Sequence, residues 1–197
     1  DASSNFTAIL ADVGGGTTDI AVVSDGGVEG TKMFGIGGRS FTHRIANDLN
    51  LSYKNAEKLK LNLSNDKLKS TVAKEAMEAV DKTLDVWVAG VELALSEFDD
   101  VDHLPNKILL CGGGSSLEAL PEALEGSDWW KDLPFTKKPT IKHVKPNEVA
   151  GIEDLSEKIT DHTFITAMGL LRVGYDTLSG VEESDSFKDK LNKILRI

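Results

Sequence analysis

The sequence predicts an α/β fold: a mixed sheet opening with a three-stranded antiparallel meander, helices packed on it, and a small, mostly helical subdomain. Three observations carry this. The first forty residues hold successive runs rich in Ile, Val and Thr with glycine turns between them, the composition of short strands. Apolar residues then recur every three or four positions through a long stretch without proline, the period of an amphipathic helix. Beyond it comes a strand, glycine turn and helix unit.

The strands are "FTAILADV" (6–13), "TTDIAVVSD" (17–25) and, after the turn Asp25-Gly26-Gly27, "GVEGTKMFGIG" (27–37). Directly after Gly37-Gly38, Phe41, Ile45 and Leu49 fall at i, i+4 and i+8 of a helix, and Ser52 is placed to N-cap a second one running through "YKNAEKLK". From Asp66 to Phe98 the apolar positions are Met77, Val80, Leu84, Trp87, Val91, Leu95 and Phe98, read as one helix on the order of 50 Å long. Strand "NKILLC", turn "GGGSS" and helix "LEALPEALEG" follow, with Pro121 expected to kink or break that helix. "TIKHV" (140–144) reads as another strand, "KPNEVAGIEDL" as loop and short helix, and "DHTFITAMGLLRVGYDTL" as a helix carrying Phe164, Met168 and Leu171. The expected divisions are 1–40 with 104–178 for the sheet subdomain, 41–103 for the helical one, a linker at 179–186, and an amphipathic helix at 187–197.

The 197 residues, 40% of them hydrophobic, suffice for a real core, and a net charge of −10 disfavours nucleic acid as a partner. Cys111 is the sole cysteine and sits in an apolar run, so a buried, reduced thiol is expected. No run approaches the 18 to 20 apolar residues, roughly, that span a bilayer, so the body is expected to be soluble. His43, His103, His143 and His162 are scattered, with no zinc-binding spacing. The pair Trp129-Trp130 reads as core beside the sheet rather than as a partner-binding patch.

Gly14 to Gly16, the set Gly35, Gly37 and Gly38, and Gly112 to Gly114 each follow an expected strand. Such turns let backbone N–H groups approach an anion closely, and phosphate is the natural ligand. "GGGTTD" leads into a second strand, whereas a dinucleotide-binding turn leads into a helix, and no GxxxxGK[ST] loop occurs. A nucleotide site therefore requires a different fold.

"DVGGGTTDIAVV" resembles the phosphate-2 hairpin of the actin-like (ribonuclease H-like) ATPases. "GIGGRSFTHRIANDLNLSYKNAEKLK" resembles the segment of the FtsA and PilM group in which a glycine pair, a Thr-bearing helix and an "AExxK" helix follow in order. "ILLCGGGSSLEALPEAL" is similar to the adenosine motif, and "TAMGLL" to the last core helix. No second hairpin of the first kind occurs, so the chain looks like the C-terminal half, subdomains IIA and IIB, of such an ATPase, and weak ATP binding is expected of it alone.

The resemblance implies ATP and Mg2+ as cofactors. It places Asp12 beside the metal, through water, and beside the attacking water, as the catalytic carboxylate. Gly14, Gly15, Gly16 and Thr17 would serve the terminal phosphates, with Gly37 and Gly38 beside them. Glu57 and Lys60 would serve the ribose and adenine, and Gly112, Gly113, Gly114 and Ser115 the adenosine. On spacing alone, an exposed ion pair is the better explanation of Glu57 and Lys60 at i and i+3, and only the surrounding motif reverses it. Asp19 is explained equally by turn closure.

In "FKDKLNKILRI" the residues Phe187, Leu191, Ile194 and Leu195 share one helical face, flanked by Lys188, Lys190, Lys193 and Arg196. A basic amphipathic helix after an acidic linker suits a membrane interface, and FtsA holds the membrane with such a helix. A last helix docked on its own domain is the alternative. The resemblance implies a filament-forming protein of cell division, peripheral on the inner face of the bacterial cytoplasmic membrane, with an FtsZ-like partner. Only "LNLSN" lies between Lys60 and the long helix, shorter than is usual in FtsA where FtsZ docks, which moves the sequence toward PilM, a pilus-assembly adaptor. A sugar or acetate kinase is the distant alternative. Any hydrolysis in the longer protein is expected to be weak, and this fragment alone inactive.

Overall fold

The hydrophobic alternation of the first two strands becomes the two faces of a sheet. In the computed structural model, which describes residues 6–63 and 71–179, β1 (Ala8–Val13) pairs antiparallel with β2 (Thr18–Ser24), Ala8 opposite Val23 and Asp12 opposite Asp19. The turn into β3 (Gly27–Phe34) passes through Asp25 at φ 49° and Gly26 at φ 80°, the two left-handed positions that a type I′ hairpin requires. β4 (Lys107–Cys111) lies parallel to β1, and β5 (Thr140–His143) parallel to β4. The order is β3-β2-β1-β4-β5, a mixed sheet opening with the expected meander.

Ile9, Ala11, Val13, Ile20, Val22, Ile108, Leu110 and Ile141 face one way, into the main core shared with the helices. That core includes Phe41 and Ile45 of α1 (Gly38–Asp48), Ala56 of α2 (Tyr53–Leu63) and Trp87 of α3 (Thr71–Ser96). The opposite face holds a smaller cluster of Ala8, Leu109 and Val144, with Leu10, Val149 and Ile165 packed against it. Ser52 caps α2, its Oγ accepting from the Asn55 amide at 3.3 Å.

Several elements differ from expectation. The described part of the long helix ends at Ser96, before Phe98, and spans 26 residues, about 39 Å at 1.5 Å per residue; positions 66–70 lie outside the described residues. Its buried stripe includes Ala73, Ala76 and Ala79, while Met77 is exposed, because small side chains let the helix approach its neighbours closely. Pro121 does not kink α4 (Ala119–Gly126). It lies in the first turn, where its missing N–H has no intrahelical partner to lose.

The last expected helix is divided. A 3-10 turn over His162–Phe164, capped by Asp161, precedes α5 (Ile165–Ser179). Of its expected apolar residues only Met168 is buried, while Phe164 and Leu171 are exposed. Trp129 is core, donating its Nε1 proton to the Leu124 carbonyl at 3.0 Å. Among the described residues no helix is long and apolar enough to cross a membrane. The tail positions from Phe187 to Arg196 lie outside the described residues.

Candidate functional site

The parallel pairing of β1 with β4 sets Asp12 opposite Cys111, so the turns that follow the two strands leave the sheet side by side. Gly14 closes the β1–β2 hairpin, its amide donating to the Thr17 carbonyl at 2.9 Å. The start of α1 docks onto this hairpin: the Gly38 amide donates to the Gly14 carbonyl at 3.0 Å and the Arg39 amide to the Gly15 carbonyl at 2.8 Å. Those helix-end donors are thereby satisfied from within the chain. The amides of Gly15 and Gly16 donate to no described residue and are the donors a phosphate would use.

The glycines make this docking possible. A Cβ on Gly37 would lie 2.6 Å from the Gly14 carbonyl oxygen and 2.8 Å from the Thr17 nitrogen. One on Gly114 would lie 2.6 Å from the same Gly14 oxygen. The three glycine clusters therefore meet at one backbone carbonyl. Gly112, at φ 82°, adds a left-handed turn whose Cβ would run into the Asp12 carboxylate.

Beside the clusters lies a cleft of about 260 Å3 lined by Gly38, Glu57, Lys60, Gly113, Gly114 and Ser116, with Leu61 and Leu117. Lys60 is buried, and its ammonium donates to the Gly38 carbonyl at 3.0 Å and to Thr42 Oγ1 at 2.9 Å. It also pairs with Glu57 at 2.9 Å. This is a buried network rather than an exposed ion pair, and it fastens α2 to the start of α1. The Thr42 hydroxyl contacts Glu57 closely. Burial pushes the Glu57 carboxyl up, but the Thr42 hydroxyl and the Lys60 ammonium outweigh it and hold the group below the ordinary glutamate value. All three ammonium protons of Lys60 have protein partners, so Glu57 is the member of the pair with acceptor capacity left over.

Asp12 does not line that cleft. It opens onto a larger groove of about 950 Å3 on the other face of the sheet, with Asp19, Leu109, Cys111, Val144 and Thr166. The Thr166 hydroxyl donates to Asp12 Oδ2 at 2.5 Å, and Thr17 donates to Asp19 Oδ2 at 3.0 Å. Among the described residues no cluster of three or more His, Cys, Asp or Glu could hold a metal ion, so there is no all-protein cage. A single oriented carboxylate fits a hydrated Mg2+, which keeps several waters and takes other oxygens from phosphates. Ser115 is wholly buried, its hydroxyl turned to the Gly112 carbonyl at 2.8 Å; Ser116 faces the cleft instead.

Sequence reasoning missed Thr166, Arg39 and two histidines. His143 and His162 stack with centroids 4.0 Å apart beneath the adenosine-type turn. Their Nε2 atoms contact the Ser115 carbonyl at 2.9 Å and the Ser116 hydroxyl at 3.1 Å. Burial lowers the His162 pKa, and the neighbouring His143 lowers it further. No spacing rule brings together the last residue of β5 and the first of the 3-10 turn before α5.

A family model described as cell division protein FtsA matches residues 9–169. The chain is 25% identical over 205 residues to cell division protein FtsA of Buchnera aphidicola, covering 91% of this chain and 46% of that protein. It therefore spans less than half the length of that relative. Among solved structures, a PilM-PilN type IV pilus biogenesis complex superposes with a TM-score of 0.65 at 21% identity, covering 87% of this chain and 47% of that one. A MamK double helical filament does so with a TM-score of 0.56 at 18% identity, covering 86% and 55%.

Proposed function

Because the chain belongs to the family of cell division protein FtsA and has an actin-like ATPase fold, we propose that it is the C-terminal, Mg-ATP-binding half of an FtsA-like cytoskeletal protein. In this reading the whole protein assembles into filaments at the inner face of the bacterial cytoplasmic membrane and serves cell division. The observation that carries the nucleotide site is the meeting of three glycine clusters at the Gly14 carbonyl, next to the Glu57 and Lys60 cleft. Gly15 and Gly16 amides would take phosphate oxygens, and the Thr17 hydroxyl would join them on leaving Asp19, to which it donates. Glu57 would accept from ribose hydroxyls, and Lys60 would act by holding Glu57 and the Gly38 carbonyl in place. Gly112, Gly113, Gly114 and Ser115 would shape the adenosine side, and Asp12 would orient the hydrated Mg2+.

Filament formation is supported by the family and by the fold shared with MamK, solved as a double helical filament. Membrane attachment is supported by the basic, amphipathic spacing of residues 187–197. An FtsZ-like partner follows from the family alone. The pilus-adaptor reading is favoured by one feature of the sequence: only "LNLSN" lies between Lys60 and the expected start of the long helix, where FtsA usually carries a larger subdomain.

One wall of a cleft neither excludes water nor clamps both ends of a ligand. Isothermal titration of this chain with Mg-ATP is therefore expected to show saturable binding weaker than micromolar. Sub-micromolar binding would overturn the half-site reading, and no binding at millimolar nucleotide would overturn the nucleotide reading.

A further inference from the structure

Arg39 is the residue after the glycine pair, in the first turn of α1. A helix N-terminus carries partial positive charge, so acidic side chains are the favoured occupants there and a cation is disfavoured. The first turn of α1 has no acidic residue. Arg39 therefore occupies a position that helix electrostatics does not explain.

Its side chain folds back over the hairpin tip. A Cβ built on Gly15 would lie 3.2 Å from Nε, 3.4 Å from Nη2 and 3.5 Å from Cζ of Arg39. The guanidinium thus rests against the turn whose Gly15 and Gly16 amides donate to no described residue. It forms no ion pair and no side-chain hydrogen bond with any described residue. A planar cation with five donors beside two free amides matches the oxygens of one phosphate group. Arg39 does not line the cleft of Glu57 and Lys60. The part of a ligand that reaches it is the end farthest from the base.

We propose that Arg39 is a specificity-determining residue of the nucleotide site, gripping the terminal phosphate of a nucleoside triphosphate over Gly15 and Gly16 and so distinguishing tri- from diphosphate. This rests on the nucleotide-site reading above. A guanidinium–phosphate contact is a charge-assisted pair, and its loss corresponds to about tenfold or more in affinity.

The test is an NMR titration of the full 197-residue chain, following the Gly15 and Gly16 amides with Mg-ATP, Mg-ADP and Mg-tripolyphosphate. Wild type, Arg39→Gln and Arg39→Lys are compared, with circular dichroism to establish that each folds. Arg39→Gln is expected to weaken Mg-ATP and Mg-tripolyphosphate about tenfold or more while leaving Mg-ADP within about twofold, and Arg39→Lys to recover part of the loss. Equal weakening of ATP and ADP, or weakening of neither, overturns the role of Arg39 and leaves the nucleotide site standing. Failure of the wild type to bind any of the three overturns the nucleotide-site reading and this one with it.

Discussion

Thr166, in the first turn of α5, donates its hydroxyl proton to Asp12 Oδ2 at 2.5 Å, joining positions 154 residues apart. The bond fixes Oδ2 of a carboxylate whose Oδ1 lies against the Gly112 turn, so the group is held in one orientation from both sides. Thr166→Val keeps the shape and removes the donor. Hydrogen bonds to charged groups contribute about 1.5–3 kcal/mol, and Thr166 is exposed, so the lower end applies to stability. The expected outcome is a rise in the Mg2+ concentration that half-saturates nucleotide binding, by about five- to tenfold, with Thr166→Ser near wild type. A Mg2+ titration at fixed nucleotide checks it; an unchanged midpoint in the valine variant would detach Thr166 from the site.

Gly37 and Gly16 separate close approach from mere turn chemistry. A methyl at Gly37 meets three backbone atoms within 2.9 Å, and one at Gly16 meets nothing within 4 Å. Gly37→Ala is expected to lower stability by about 1–3 kcal/mol through forced backbone movement. Gly16→Ala should leave it unchanged or raise it by up to about 1 kcal/mol through unfolded-state entropy. In urea denaturation Gly37→Ala lowers the midpoint and Gly16→Ala does not, if the hairpin and α1 are docked as described.

Thr18 is a buried polar link between three elements. Its hydroxyl donates to the Ile36 carbonyl at 2.8 Å and accepts from Trp87 Nε1 at 2.9 Å, tying the hairpin to the approach to α1 and to α3. Thr18→Val preserves volume but strands a buried donor and an acceptor, at about 1–3 kcal/mol for each group so left. A fall in thermal midpoint for Thr18→Val, with Thr18→Ser falling less, is the expected result. If Thr18→Val melts with wild type, water or another group must satisfy Trp87.

What the sequence showed and what it hid divide along a physical line. The meander was legible because strand composition and the Asp25-Gly26 turn are local signals. The glycine clusters were legible as close-approach positions, yet which partner each glycine admits was not, since Gly37 and Gly114 both converge on the Gly14 carbonyl from distant parts of the chain. The buried stripe of α3 drifted from the expected one because alanines such as Ala76 and Ala79 pack fully while adding little to a hydrophobic pattern. The resemblance names Lys60 as a candidate site residue. Its saturation by Gly38, Thr42 and Glu57 is tertiary. Leu170, Leu171, Val173 and Tyr175 of α5 remain exposed, because periodicity names a face without naming what covers it.

Cys111 gives stability a measurable alkaline slope. Burial, with the neighbouring Asp12 carboxylate, pushes its thiol up to about 11 from an ordinary value of 9.0, against a smaller opposing contact from Thr166. The folded state therefore holds its proton where the unfolded chain has lost it. Stability from this group is fully present below the unfolded value and is lost as pH rises from about 9 toward 11. The loss is on the order of 2 kcal/mol, and Cys111→Ala should flatten that part of the profile. Alkylation of the folded chain at pH 8 should also be much slower than after unfolding, because the thiolate is the nucleophile.

The tail supplies the last discriminating measurement. Residues 187–197 place Phe187, Leu191, Ile194 and Leu195 at one helical spacing and Lys188, Lys190, Lys193 and Arg196 around them, on a chain whose net charge is −10. Such a protein as a whole is repelled by anionic lipid, so attraction must come from the tail, at about 1 kcal/mol per basic residue near the surface. Eleven residues insert little apolar area, which makes the binding reversible and dependent on lipid charge and salt. The full chain is expected to float with vesicles containing phosphatidylglycerol, to float less at high salt, and to stay at the bottom of the gradient with neutral phosphatidylcholine. A chain lacking 186–197 should stay at the bottom with both. Equal flotation of the two chains would assign the tail to protein contacts and shift the balance toward the adaptor reading.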